Sequence, residues 1–155
     1  MLNFRLTDVA QPCRAHLEAF RNFAAVSGEA TDALLLDMLR RAMLAVQEWE
    51  DKSLLAARAT LVVLDRDDPA GPVHLFLTPS EVVTVEEPLS GEPLECSLVG
   101  TELIPSWRTR NVRVVYDTAP EKADIDALMP KVYRYAAALY DGDDSAALAR
   151  ILQER

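Results

Sequence analysis

Proline is spread so unevenly along this chain that it decides where helices can form. Seven of the nine prolines fall between Pro69 and Pro120. A proline inside a helix removes a backbone donor and collides with the preceding turn, so the middle of the chain is closed to long helices. Only Pro12 and Pro130 lie in the flanks. The expected layout is helical over 12–51, strand-rich over 59–116 and helical again over 124–155. That is an α+β fold, with amphipathic helices at both ends packed with a small antiparallel β-sheet formed by the middle of the chain. A single domain over residues 1–155 is expected.

The flanks carry helical periodicity. Leu6 to Gln11 reads as an entry loop, and Pro12 suits a first helical turn, where its missing N–H costs nothing. Cys13, Leu17, Phe20 and Ala24 then share a face, and Ser27-Gly28 ends the helix. Thr31 is a good N-cap for the strongest helix, which runs to about Asp51. Its apolar stripe of Leu35, Leu39, Ala42, Val46 and Trp49 is expected to be buried. A second helical stretch begins near Asp124, with Ile125, Leu128, Val132, Ala136 and Leu139 on one face. Pro130 opens or kinks it, and Gly142 is a natural stop. Asp144 or Ser145 caps a last short helix, Ala146 to Gln153, with an apolar edge of Leu148, Ile151 and Leu152. A segment that short is not a stable helix alone in water, so something must cover its edge.

Between the flanks, Ala59–Leu64, Val73–Leu77, Val82–Val85 and Val112–Tyr116 are short, apolar and rich in β-branched residues. Asp65-Arg66-Asp67-Asp68-Pro69-Ala70-Gly71-Pro72 is a turn between the first two.

The search for chemistry excludes most function classes. The chain holds 25 acidic and 16 basic residues, a net charge of −9, and its densest basic stretch is only Arg108, Arg110 and Arg113. Gripping a phosphate backbone needs clustered cations; an acidic surface suits DNA that must slide past without specific binding. The five glycines are scattered, which removes phosphate-binding loops, dinucleotide fingerprints and nucleophile elbows. His16 and His74 fit no metal or catalytic spacing. The acidic runs starting at Asp65 and Asp141 place Ala70 and Ala146 where a calcium loop needs glycine, and Phe76 and Leu152 where it needs glutamate. Cys13 and Cys96 read as reduced and mostly buried thiols, suiting a reducing cytoplasm. No apolar run approaches the roughly 20 residues that span a bilayer, so no membrane partner is expected. No catalytic residue, cofactor or metal is expected. Trp107, in a Pro- and Arg-rich loop, is a candidate partner anchor.

The order of segments resembles the phage head–tail connector (adaptor) family. Gln11-Pro12-Cys13-Arg14-Ala15-His16-Leu17 is similar to that family's short first helix. Asp32-Ala33-Leu34-Leu35 leads a long helix ending in Val46-Gln47-Glu48-Trp49-Glu50, as the family's second helix does. Val112-Arg113-Val114-Val115-Tyr116 resembles the strand before its last long helix, and Ala138-Leu139-Tyr140-Asp141-Gly142-Asp143 the close of that helix. The chain departs from the pattern at Asp51-Lys52-Ser53, where the family often shows a Thr-Gly-Arg-like turn, and over 61–107, which matches only in its strands and prolines.

The resemblance implies a non-enzymatic structural part of a tailed phage or prophage. Such adaptors form a ring of about twelve subunits, whose contacts require two different surfaces on each copy. The ring sits under the portal protein in the virion neck, extends the DNA channel and presents a surface to a downstream stopper or tail protein. Synthesis in the bacterial host cytoplasm follows. The family tends to hold the portal with its C-terminal segment, which makes Leu148, Ile151 and Leu152 candidate docking residues. Three readings compete: another phage morphogenesis part, such as a tail-completion protein or assembly chaperone; a small-ligand-binding or enzymatic α+β domain with a site assembled from loops; and a bacterial secretion or regulatory adaptor.

Overall fold

A computed structural model describes residues 1–24 and 31–155. The fold is α+β, with helices towards both ends and strands between them. The expected helix stop at Ser27-Gly28 lies outside the described residues. The chain divides into two compact units, and each is built from two stretches of sequence. One comprises Met1–Ala10 and Ala56–Pro120, the other Gln11–Leu55 and Glu121–Arg155.

The first unit is all strand. Its members are β1 (Leu2–Thr7), β2 (Ala57–Val63), β3 (Val73–His74), β4 (Pro79–Glu86), β5 (Cys96–Val99), β6 (Glu102–Pro105) and β7 (Val112–Thr118). They make two antiparallel sheets, a four-stranded one in the order β1-β2-β7-β4 and a three-stranded one in the order β3-β6-β5. Strand alternation explains the core. Ala59 and Leu61 of β2 and Val112, Val114 and Tyr116 of β7 point to one side, where they meet Val73, Leu75 and Leu103 from the second sheet and its approach. The Tyr116 hydroxyl stays satisfied in that core by donating to the Phe76 carbonyl at 3.1 Å.

Two details of this unit differ from the sequence reading. Leu6 and Thr7 belong to β1 and not to an entry loop. The period-2 pattern was present, with Leu2, Phe4 and Leu6 alternating against Asn3, Arg5 and Thr7, but the partner strand lies more than fifty residues away. The middle also folds into two sheets, because Cys96–Val99 and Glu102–Pro105 form a hairpin turned at Gly100, whose φ is +62°.

The second unit is all helix: α1 (Arg14–Phe23), α2 (Asp32–Glu50), α3 (Lys122–Tyr140) and α4 (Ser145–Gln153). The Thr31 side chain accepts from the Leu34 N–H and opens α2, and Asp51 closes it in the left-handed region. Phe20, Leu35, Leu39, Ala42, Met43, Val46, Met129, Val132 and Ala136 form its core. Pro130 lies inside α3, eight positions after its start at Lys122, and does not end it. Gly142, with φ +75°, turns the chain out of α3, and the Asp144 side chain caps α4 by accepting from the Ala147 N–H.

Three sequence expectations need correction here. Pro12 is buried but precedes α1, whose N-cap is Cys13. Cys13 is therefore off the helical face, and its thiol is exposed. Trp49, which helical spacing puts on the apolar stripe of α2, is 55% exposed. The buried sector of α2 turns towards Met43 and Gln47. Gln47 is 2% exposed, and its Oε1 accepts from the backbone of Leu54 (3.0 Å) and Leu55 (3.3 Å). The chain returning after Asp51 thus covers the Gln47 side and leaves Trp49 out.

Candidate interaction surfaces

The four-stranded sheet has one face in the core and one open face. Register fixes what the open face presents. Its rows run Asn3–Val62–Arg113–Glu86, then Arg5–Thr60–Val115–Thr84, then Thr7–Arg58–Asp117–Glu81. Two cations on this face are neutralised locally. Arg58 donates twice to Asp117, at 2.9 and 3.3 Å, and Arg113 donates to Glu86 at 2.7 Å. The hydrogen bond from Arg58 holds the Asp117 carboxyl below the usual carboxylate range, and Asp117 in turn raises Arg58. Arg5 is exposed and makes no ion pair among the described residues. The face carries cations, then, but few that are free to hold phosphate.

The loops of the sheet unit account for Trp107. It is half-buried and packs against the core cluster. The Arg66 guanidinium lies 5.7 Å from its ring centroid. Arg66 itself is 9% exposed, and donates to the carbonyls of Thr109 (3.2 Å) and Gly71. Burial pushes its pKa down from the ordinary guanidinium value. This clasp ties the 65–72 turn to the 106–111 loop. Trp107 Nε1 is buried without a hydrogen-bond partner. The exposed apolar side chains of the unit lie elsewhere, with Leu89 84% and Val99 64% exposed.

In the helical unit, α4 lies on α2 and α3. Leu148, Ile151 and Leu152 are half-buried there, and no residue of α4 is fully buried. Polar contacts hold the helix. Lys131 Nζ donates to Glu50 Oε1 at 2.7 Å and to the Leu152 carbonyl at 3.0 Å, and Arg134 donates to Glu154 at 3.1 Å. The structure thus brings Leu148, Ile151 and Leu152 together on one edge and places Trp107 in the other unit. Sequence reasoning missed Lys131, because a lysine on an apolar helix face gives no signal of its carboxylate partner 81 positions away.

The histidines have ordinary partners. His16 Nδ1 is 3.2 Å from the Tyr133 hydroxyl, and His74 Nδ1 is 2.9 Å from Glu102 Oε1. Burial, with Cys13 nearby, raises the Tyr133 hydroxyl above its usual range. Among the described residues, no group of three or more His, Cys, Asp or Glu side chains is placed to hold a metal ion, and no helix is long and apolar enough to cross a membrane.

No family model matches the sequence, and neither does any curated protein. Solved structures do match. One is a chain from the neck of an empty gene transfer agent (GTA) particle computed with C6 symmetry. It is 19% identical, with a TM-score of 0.65, over 99% of this chain and 93% of that one. A chain from the virion of the native particle gives 17% identity and a TM-score of 0.66, over the same shares. A third, from the native neck computed with C12 symmetry, gives 16% identity and 0.55, over 96% of this chain and 97% of that one. At these identities the likeness establishes a shared fold along nearly the whole chain.

Proposed function

We infer that this chain is a structural, non-enzymatic adaptor in the neck of a tailed phage or prophage. In this reading residues 1–155 act as one head–tail connector-like domain. About twelve copies form a ring below the portal, extend the DNA channel and join the head to a downstream stopper or tail protein. The observation that carries the reading is the fold shared over 99% of the chain with a component of a gene-transfer-agent neck. The surface chemistry supports it. Arg58 and Arg113 are held by carboxylates on the open sheet face, and the chain is acidic overall. Such a surface lets DNA pass without holding it. Synthesis in the host cytoplasm and a final place in the virion neck follow from the same reading.

A six-fold tail-completion part is the second reading, favoured by the C6 match, whose TM-score of 0.65 exceeds the 0.55 of the C12 match. Negative-stain microscopy of the concentrated protein, alone and with its portal, tests both. Closed rings seated on the portal support the adaptor, and their count separates about twelve from about six. A tight two-fold dimer at every concentration, or no association with the portal, overturns it.

A further inference from the structure

The four-stranded sheet has two outer edges. β1 is one edge and β4 the other. The sheet is antiparallel throughout and has an even number of strands, so its edge strands run in opposite directions. A rotation about an axis roughly along the strands would set β4 of one copy antiparallel to β1 of the next, and the ladder would continue.

Proteins ordinarily defend an open edge with proline, lysine or a bulge. β1 has none of these. Its six residues pair with β2 without a register shift, from Leu2 opposite Val63 to Thr7 opposite Arg58. β4 is the more defended edge: it begins at Pro79, is bulged, and its far end is covered, where the Leu94 N–H donates to the Val85 carbonyl at 2.9 Å and Glu86 bridges to Pro93. Among the described residues the outer edge of β4 is open before that point, around Glu81.

Charge selects the match. Arg5 on β1 and Glu81 on β4 are exposed and lie on the same open face; neither touches an opposite charge at salt-bridge distance among the described residues, although Glu81 is near enough to Arg58 to help raise it. They stand in adjacent rows of that face. A two-residue stagger between copies would set Arg5 of one opposite Glu81 of the next. A two-residue slip keeps every side chain on its own face, and closing a sheet into a ring requires a stagger.

We propose that β1 of one copy pairs along its open edge with β4 of a neighbouring copy of the same chain, with Arg5 and Glu81 forming an ion pair across the junction. The proposal rests on the ring reading above and names its two contact surfaces.

The test places Arg5→Cys and Glu81→Cys in one chain whose Cys13 and Cys96 are replaced by Ser and Ala. Oxidation of the concentrated protein should give a ladder of covalent oligomers, while either single cysteine gives nothing larger than a dimer. A second arm needs no cysteine. Arg5→Glu or Glu81→Arg alone should raise the concentration needed for assembly about fivefold or more, and the double reversal should restore it. Unchanged melting temperatures establish that these surface variants fold. Rings that form without a 5–81 cross-link and ignore both reversals overturn the junction while the ring reading stands. Cross-links between two copies of position 5 also overturn it, in favour of a two-fold edge contact. No self-association, alone or with the portal, overturns both.

Discussion

The Lys131 ammonium lies 2.7 Å from a Glu50 carboxylate oxygen, with the lysine side chain only 9% exposed. The same nitrogen donates to the Leu152 carbonyl. One buried charge therefore joins the ends of α2 and α4 to the middle of α3. Removing it leaves Glu50 and a helix-terminal carbonyl without their donor. Lys131→Ala should destabilise the protein by about 1.5–3 kcal/mol, the range for hydrogen bonds to charged groups. Urea unfolding measures it, and Glu50→Gln, which keeps an acceptor, should cost less.

Two residues of α2 should behave in opposite ways. Leu39 is fully buried, so Leu39→Ala should cost about 2–5 kcal/mol. Trp49 is 55% exposed, so Trp49→Ala should stay within about 0.5 kcal/mol. Denaturant melts of the two variants side by side check both. A large loss at Trp49 would mean that it packs against something in solution.

Deleting residues 145–155 uncovers the surface beneath Leu148, Ile151 and Leu152 and removes the bond from Lys131 to the Leu152 carbonyl. The melting temperature should fall by several degrees, since about 1 kcal/mol shifts a domain this size by roughly 2–4 °C. Portal capture by the truncated protein is read separately. Loss of capture supports docking by this helix, and normal capture sinks it.

Acid should weaken the sheet unit through Asp117. Its folded pKa is depressed, first by the hydrogen bond from Arg58. A depressed carboxylate stabilises above its unfolded value and loses that contribution as pH falls through its folded value. Glu87, lowered chiefly by the Ser90 N–H, acts in the same direction. Stability followed from pH 7 down into the acid range should decline, and Asp117→Asn should flatten that decline. An equal slope in both proteins would remove Asp117 as a cause.

Local signals made much of the helical unit legible in the sequence. Thr31, Asp144 and Gly142 each sit where a cap or stop of their chemistry belongs, and Leu35, Leu39 and Val46 are buried as their spacing predicts. What failed was set by distant partners. Trp49 stayed outside because Gln47 took up the returning backbone, and β1 was missed because its partner is β2. The interaction surfaces were less legible still. Trp107 stands out in the sequence as an aromatic in a Pro- and Arg-rich loop, yet its half-buried state comes from packing on the sheet core and from Arg66 lying beside its ring. Arg5 and Glu81 carry no sequence signal, because their common face exists only once four strands are in register.

The interleaving of the two units governs the order in which a nascent chain can fold on the ribosome. β1 is made early but must wait for β2, which begins at Ala57, and the sheet cannot close before β7 has emerged. Meanwhile α1 and α2 expose the surfaces of Leu35, Leu39 and Val46 until α3, beginning at Lys122, arrives to cover them. Contacts of such long sequence separation form late, and exposed apolar helices invite proteases and aggregation in the interval. A translation product broken off just before α3 would hold all seven strands but leave the apolar surfaces of α1 and α2 bare.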